Sequence, residues 1–547
     1  MSFFDLNRKA VCSALAIGLS LGHINGCAVR TTDASLGTED NATTIAGEYI
    51  VVLKAGRTLQ ALNQAAESPG ERGASAFVNA YARVKASGAV LYEYHHALQG
   101  FTLRDPHPNA LSIWRSHTDW VAAATPNTRF SLEDEPPSPA QPQENAPWNL
   151  ARIDQQEWDP YNQDKVYDHM PNGGEGVRAY VIDSGIYGAH QEFCKDAITP
   201  GCNSRIEAGY ASVGDPADDE DYHGHGTHVA GTIGGLTYGV AKAITLVPVR
   251  IVDKEGHGSA ATVIEGVDYV TGDAAGRPAV ANMSLKIKPV SEILNLAVRN
   301  SIASGIVYAV SAGNDTDNAC WQSPAAVPEA LTVGATDLAD QTASFSNLGP
   351  CVDIVAPGHG ILSALHGYPD AFTMRSGTSM ATPHIAGIAA LWLQRLITMG
   401  QPSSVFDVMS QVTCHSTPDR ITGLDFLQPN LLAFTAPVTT PEGSYAMPAA
   451  PAFQLTTNTS IPVAVGSNLS LSLLFQQLPC FVKAVDVYQN DNLLASHYLP
   501  TERTVTVQPV LSGPTSFRVV LTDGLNRQAE AELEVAVQPR ILLPIIR

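Results

Sequence analysis

Gly377-Thr378-Ser379-Met380-Ala381-Thr382-Pro383-His384 decides the reading of this chain, because it completes a set of three motifs. Ala179-Tyr180-Val181-Ile182-Asp183-Ser184-Gly185 comes first, and His225-Gly226-Thr227-His228-Val229-Ala230-Gly231 second. An acid, an imidazole and a hydroxyl in the order Asp183, His225, Ser379 are the components of nucleophilic acyl transfer. Each stands in a suitable setting. Asp183 ends an apolar run, so its carboxylate falls at the carboxyl end of a strand, where α/β sheets place their sites. His225 opens an Ala/Gly-rich helix. Ser379 opens a helix predicted over Thr378–Leu393, whose N-terminal dipole favours negative charge near the hydroxyl. Asp183 would orient the imidazolium, His225 would act as general base and then acid, and Ser379 would attack a carbonyl. His223 and His228 compete for the base role. Each histidine alone reads as structural or solvent-facing, and the His-Gly-Thr-His context promotes His225.

The 547 residues are 44% hydrophobic with a formal charge of −21. That length calls for three or four modules, and that apolar content excludes a disordered chain. The charge argues against nucleic acid or an anionic membrane as the main partner. Residues 1–28 read as an export signal: Arg8 and Lys9 precede an apolar run from Ala10 to Leu21, too short to span a bilayer. Two readings of its processing stand. Ile24-Asn25-Gly26-Cys27 resembles a lipobox, which would put a lipid anchor on Cys27; ordinary cleavage after Ala28 is the other. Either sends the protein to the cell envelope or outside. Beyond the signal lie Cys194, Cys202, Cys320, Cys351, Cys414 and Cys480, an even number that suits an oxidising compartment. Their pairing does not follow from sequence.

From Gly47 the chain reads as a small module over residues 47–132. A strand at Tyr49–Leu53 precedes a helical stretch Thr58–Val84 broken at Pro69-Gly70. Two strand-like runs between Val90 and Leu103, a helix Asn109–Trp120 and a strand Val121–Phe130 follow. This βαββαβ order suits a ferredoxin-like α+β fold. Residues 133–145 form a Pro-rich linker that is easily cut. Residues 146–435 alternate apolar runs (Val177–Ile182, Ile244–Val252, Val280–Met283, Ile306–Val310) with helical stretches, the pattern of a parallel sheet covered on both faces. After a second linker, residues 453–547 alternate with period two and read as a small β-sandwich.

The middle region resembles the subtilases, most closely their proteinase K and aqualysin branch. The resemblance runs from Ala146-Pro147-Trp148-Asn149-Leu150-Ala151-Arg152-Ile153 to about Asn430-Leu431-Leu432 and rests on the three motifs above. It implies a subtilisin-like parallel sheet flanked by helices, with an inhibitor propeptide before it and an accessory all-β domain after it. It also implies a monomeric secreted serine endopeptidase of broad specificity, made as an autoprocessed zymogen and acting on proteins or peptides. Tyr94-His95-His96-Ala97-Leu98-Gln99-Gly100-Phe101 resembles part of the family's propeptide, which inhibits its own enzyme. The oxyanion donor carries over to Asn314 in Val310-Ser311-Ala312-Gly313-Asn314-Asp315, with Ala312 and Gly313 beside the substrate. One cleft strand maps to Gly256-His257-Gly258-Ser259 and the other to Ser284-Leu285-Lys286. There the chain departs from the family: Lys286, Ile287 and Lys288 stand where glycines are usual, which puts cleft shape in question.

A structural Ca²⁺ site is implied through the carbonyls of Pro328 and Ala330 and the Asp353 carboxylate, oxygen ligands that suit a hard cation. The acidic run Asp215, Asp218, Asp219, Glu220, Asp221 reads as a solvated loop rather than a second metal site. Cys320 and Cys351 resemble an aqualysin-type disulfide, Cys194 and Cys202 are expected to bridge locally, and a Cys414–Cys480 link to the tail is a conjecture. A rival reading, a self-cleaving protease-fold binding protein with a narrowed cleft, draws on the altered Lys286–Lys288 segment alone.

Overall fold

The computed structural model describes residues 44–67, 75–132, 138–139, 146–159, 167–169, 172–195, 202–424 and 428–435, together with most strands of the tail between 452 and 538. The export signal, Cys27, Cys480 and most of the 133–145 linker lie outside the described residues.

The middle region is built on a nine-stranded sheet. Its central members run in the order Ile354–Pro357, Leu331–Thr336, Val307–Ser311, Ala279–Met283, Arg178–Asp183 and Thr245–Arg250, all parallel. These strands are near-continuous apolar runs because helices cover both faces and leave no side for polar residues. Ala179, Tyr180, Val181 and Ile182 are accordingly all buried. Three neighbouring strands end at Asp183, at Met283 before Ser284, and at Ser311 before Asn314. Sheet order therefore collects residues from distant parts of the chain at one edge.

Two helices complete that edge. His225–Gly234 is buried along its whole length, which its Gly, Ala and Thr residues permit. Thr378–Thr398 extends beyond the expected Leu393. Pro383 inside it lacks the N–H that would bond the Ser379 carbonyl one turn back. The Ser284 hydroxyl donates to that carbonyl instead, at 2.9 Å. The proline thus leaves an acceptor that ties the Ser379 helix to the Ser284 segment.

The N-terminal module has the strands Thr44–Leu53, Val90–Tyr94, Gly100–Arg104 and Val121–Ser131, in the sheet order second, third, first, fourth. Helices Leu59–Ala66 and Ala76–Ala86 start at Thr58 and Ser75, whose side chains cap the Ala61 and Val78 N–H groups. The expected Asn109–Trp120 helix is shorter, Ala110–Ser116. The module has its own core, including Phe77, Tyr81, Phe101 and Trp114. Strands of the tail form a three-stranded and a five-stranded sheet, the latter holding the long hairpin Gly513–Asp523 with Gln528–Gln538.

Disulfides join Cys194 to Cys202 and Cys320 to Cys351, and Cys414 is also disulfide-bonded. No described helix is long and apolar enough to cross a membrane.

Candidate active site

Asp183 and His225 meet at the edge of the sheet, both fully buried, with Asp183 Oδ1 2.7 Å from His225 Nδ1. Oδ1 also accepts the Ser184 N–H at 2.7 Å, which holds the carboxylate still. An anionic acceptor at Nδ1 keeps the proton there and leaves Nε2 as the basic nitrogen. Gly226 is required by close approach: a Cβ on it would collide with the Gly185 carbonyl and lie 3.2 Å from Asp183 Oδ1.

The other two histidines of the motif region are spoken for. His228 Nε2 faces the carbonyls of Ile361 and Thr373 at 3.0 and 3.2 Å, a structural position. His223 packs against Gly256, whose Cβ would fall 2.9 Å from the imidazole.

Ser379 is 7% exposed, in the first turn of its helix, where N–H groups have no intrahelical acceptor. Its hydroxyl lies 3.4 Å from the Ser284 carbonyl. Asn314 faces the same turn. Its Oδ1 accepts the Thr378 N–H and the Thr378 hydroxyl, each at 2.8 Å, and that fixes the amide with Nδ2 turned the other way. A methyl placed on Gly377 would stand 3.3 Å from Asn314 Nδ2 and 3.5 Å from the Ser379 nitrogen. Two donors therefore flank one small space at the start of the Ser379 helix. Such a space can hold an oxyanion.

Residues 174–430 match the Subtilase family. An extracellular serine proteinase of Thermus sp. (strain Rt41A) is 46% identical over 293 residues, which cover 54% of this chain and 67% of that protein. Proteinase T of Parengyodontium album is 44% identical over 256 residues, covering 46% of this chain and 81% of that protein. This chain belongs to the subtilase family of serine endopeptidases. Alkaline serine exoprotease A of Vibrio alginolyticus is 48% identical over 253 residues, 46% of this chain and 44% of that protein.

In this subtilase His257–Ser259 forms an edge strand, already paired with the N-terminal module. Arg129, Phe130 and Ser131 lie opposite Ser259, Gly258 and His257 in antiparallel register, and the Leu132 N–H donates to the Gly256 carbonyl at 3.1 Å. Ser284 is anchored to the Ser379 helix as described, and the Leu285 carbonyl accepts the Ser311 hydroxyl at 3.1 Å. Gly313 donates its N–H to the Thr378 hydroxyl at 3.1 Å, and the Ala312 carbonyl accepts from Asn347 Nδ2 at 2.9 Å. Lys286 leaves the cleft backbone to pair with Asp315, and Ile287 turns inward.

The acidic loop corrects the sequence reading. Asp221 is buried, not solvated. Its Oδ1 accepts from the Ser184 hydroxyl and the N–H groups of His223 and Gly224, and its Oδ2 from the Thr227 N–H and hydroxyl, at 2.5–2.9 Å. It holds the turn that enters the His225 helix. Asp218 does face outward, beside Arg250 and Tyr222.

Asp353 accepts the Thr332 N–H at 2.8 Å, and burial pushes its carboxyl up to about 7. Among the described residues no three His, Cys, Asp or Glu side chains group so as to hold a metal. A further carboxylate was invisible as a functional group in the sequence. Asp268, on the helix Ala260–Ala274, accepts the N–H groups of His95, His96 and Ala97 at 3.0, 2.5 and 2.6 Å. A single Asp on the buried side of an amphipathic helix was the only available signal.

Proposed function

We propose that this subtilase is an exported endopeptidase made as a zymogen, whose N-terminal module is a propeptide that it cuts off itself. The single observation that carries the proposal is the pairing of Val121–Ser131 with His257–Ser259. An extended segment added to an exposed edge strand is how a peptide is presented to a protease cleft. Here the added segment runs on, through Leu132, into the Pro-rich linker. A substrate held the same way would be bound mainly through its backbone, which suits broad specificity.

The reaction follows from the site. His225 Nε2 takes the Ser379 proton as the hydroxyl attacks the carbonyl carbon. Asp183 keeps the imidazole in the tautomer that can do so and stabilises the imidazolium. The oxyanion is received by Asn314 Nδ2 and the Ser379 N–H; losing the side-chain donor costs about 10²–10³ in turnover. His225 then returns the proton to the leaving amine, and water repeats the sequence on the acyl-enzyme.

A Ca²⁺ site at Asp353 with the carbonyls of Pro328 and Ala330 is part of the proposal. The residues fit: the carboxylate is half-buried, accepts one backbone N–H and has no Lys or Arg partner among the described residues. Bound Ca²⁺ would supply the missing positive charge and stabilise the fold, with no part in the acyl chemistry.

Ser379→Ala tests the whole reading. The precursor should accumulate with its N-terminal module still joined, and an unstructured protein should remain uncut. Normal maturation of that variant in the absence of added protease would refute self-processing. The intact set Asp183, His225, Asn314 and Ser379 weighs against the binding-protein alternative.

A further inference from the structure

Where glycines are usual in the family, this chain has Lys286-Ile287-Lys288, and these residues form a defined structure. Ile287 is fully buried and exchanges two backbone hydrogen bonds with Ser323, Ile287 N–H to Ser323 O at 2.8 Å and the reverse at 3.0 Å. Side chains alternate along an extended segment, so the lysines on either side of Ile287 share the opposite face. Both reach across to the loop that carries Asn314. Lys286 Nζ lies 2.6 Å from Asp315 Oδ1, and Lys288 Nζ lies 2.8 Å from Asp315 Oδ2 and 3.1 Å from Asp317 Oδ2. Each oxygen of Asp315 thus takes a separate ammonium.

The Lys286 and Asp315 side chains are 18% and 29% exposed, so solvent screens the pair only in part. Burial pushes the Asp315 carboxyl up, but the hydrogen bonds and charges of Lys286 and Lys288 outweigh it and hold the group below the usual carboxylate range. Asn347 supports the same loop from beneath, its Oδ1 accepting the N–H groups of Asp315 and Asp317, each at 2.9 Å. The residue before Asp315 is Asn314.

We propose that the Lys286–Asp315–Lys288–Asp317 cluster is a clasp between the two segments flanking Ser379, and that it positions the Asn314 amide for turnover. This rests on the oxyanion role of Asn314 proposed above. Asn314 is fixed on one side by Thr378 and on the other by the clasp. An amide that is displaced loses its hydrogen bond chiefly in the transition state, where the charge is fully formed. The four residues are positioning groups and touch no reacting atom.

The test is a double-mutant cycle on the mature enzyme with a peptide anilide substrate and a peptide aldehyde, whose hemiacetal oxygen occupies the oxyanion position. Asp315→Asn should lower kcat about tenfold, less than loss of the donor itself, and leave KM within about twofold. Aldehyde affinity should fall in proportion to kcat. In an Asn314→Ala background the same substitution should change kcat by less than about twofold, because the group it acts through is gone. Should Asp315→Asn not mature, Lys286→Met, which takes one of the two ammonium groups from Asp315, should lower kcat and aldehyde affinity together and by less than tenfold. Lys286→Arg, which keeps a cation beside Asp315, should recover most of the kcat and aldehyde affinity that Lys286→Met loses. A tenfold effect that persists without the Asn314 amide, or a lower melting temperature with kcat and aldehyde affinity intact, overturns the proposal. Full turnover by Asn314→Ala alone would instead overturn the oxyanion reading beneath it.

Discussion

Asp268→Ala should release the N-terminal module, the proposed propeptide, without harming the enzyme. In the intact chain this carboxylate, on the helix Ala260–Ala274, accepts three consecutive backbone N–H groups from the turn His95–Ala97. Hydrogen bonds to an ionised carboxylate are each worth about 1.5–3 kcal/mol. Three made by one group are not additive, so their sum overstates the loss. Truncating one partner of a buried, hydrogen-bonded charge contact typically costs ~2–5 kcal/mol. Taking ~3 kcal/mol, with part of the penalty recovered as the freed N–H groups meet water, inhibition should weaken by about two orders of magnitude. The assay adds residues 44–132, which have their own core, to the mature enzyme and follows hydrolysis of a small peptide substrate. The inhibition constant should rise ~100-fold, while kcat/KM for the small substrate stays within about twofold. An inhibition constant within about threefold of wild type would show that the other contacts, the edge-strand pairing and the Asn300–Ala97 hydrogen bond among them, hold the module without it, and the reasoning about Asp268 would fail.

The contact of the N-terminal module should also depend on pH through Glu265, whose carboxyl is pushed up to about 7 by burial and by the charges of Asp268 and Glu93. Of these causes Glu93 belongs to the N-terminal module, so the carboxyl holds its proton more tightly in the complex than in the free enzyme; affinity should fall as pH rises toward about 7 and level off above it, and Glu265→Gln should flatten the profile. Removing the Cys320–Cys351 bridge, which closes a 31-residue separation, should destabilise by about 3.7 kcal/mol by chain entropy; urea unfolding in the Ser379→Ala background measures it, and a loss below about 1 kcal/mol would contradict the estimate. Excess chelator should lower the melting temperature more than the initial rate at low temperature, because a cation at Asp353 would bind only the folded chain. An unchanged melting temperature would remove the calcium proposal.

Asp183, His225 and Ser379 stand out as candidates in the sequence because each is embedded in small residues, and Asn314 through the family resemblance; the fold brings Asp183 to His225 and Asn314 to the first turn of the Ser379 helix. Gly226 and Gly377 are among those small residues: a side chain at either would enter the space that the reacting groups use. The parallel sheet was legible too, since strands buried on both faces show as unbroken apolar runs. Helix ends were less so. The Ser379 helix runs on to Thr398 and the Asn109–Trp120 prediction shortens to Ala110–Ser116, because capping and packing, not periodicity, set the ends.

The sequence by itself thus determined the reaction class, through residue types and their order, and the layered fold, through hydrophobic period. Only the tertiary structure decided what the remaining charges do. Asp221 and Asp218 look alike in one acidic run, yet one is buried under five donors and the other lies beside an arginine at the surface. In the sequence Lys286 and Lys288 only put cleft shape in question; in the fold Ile287 turns inward and presents them to Asp315. A carboxylate or ammonium is placed by the donors and acceptors around it. Those come mostly from backbone groups and side chains far away in sequence, and folding alone brings them together.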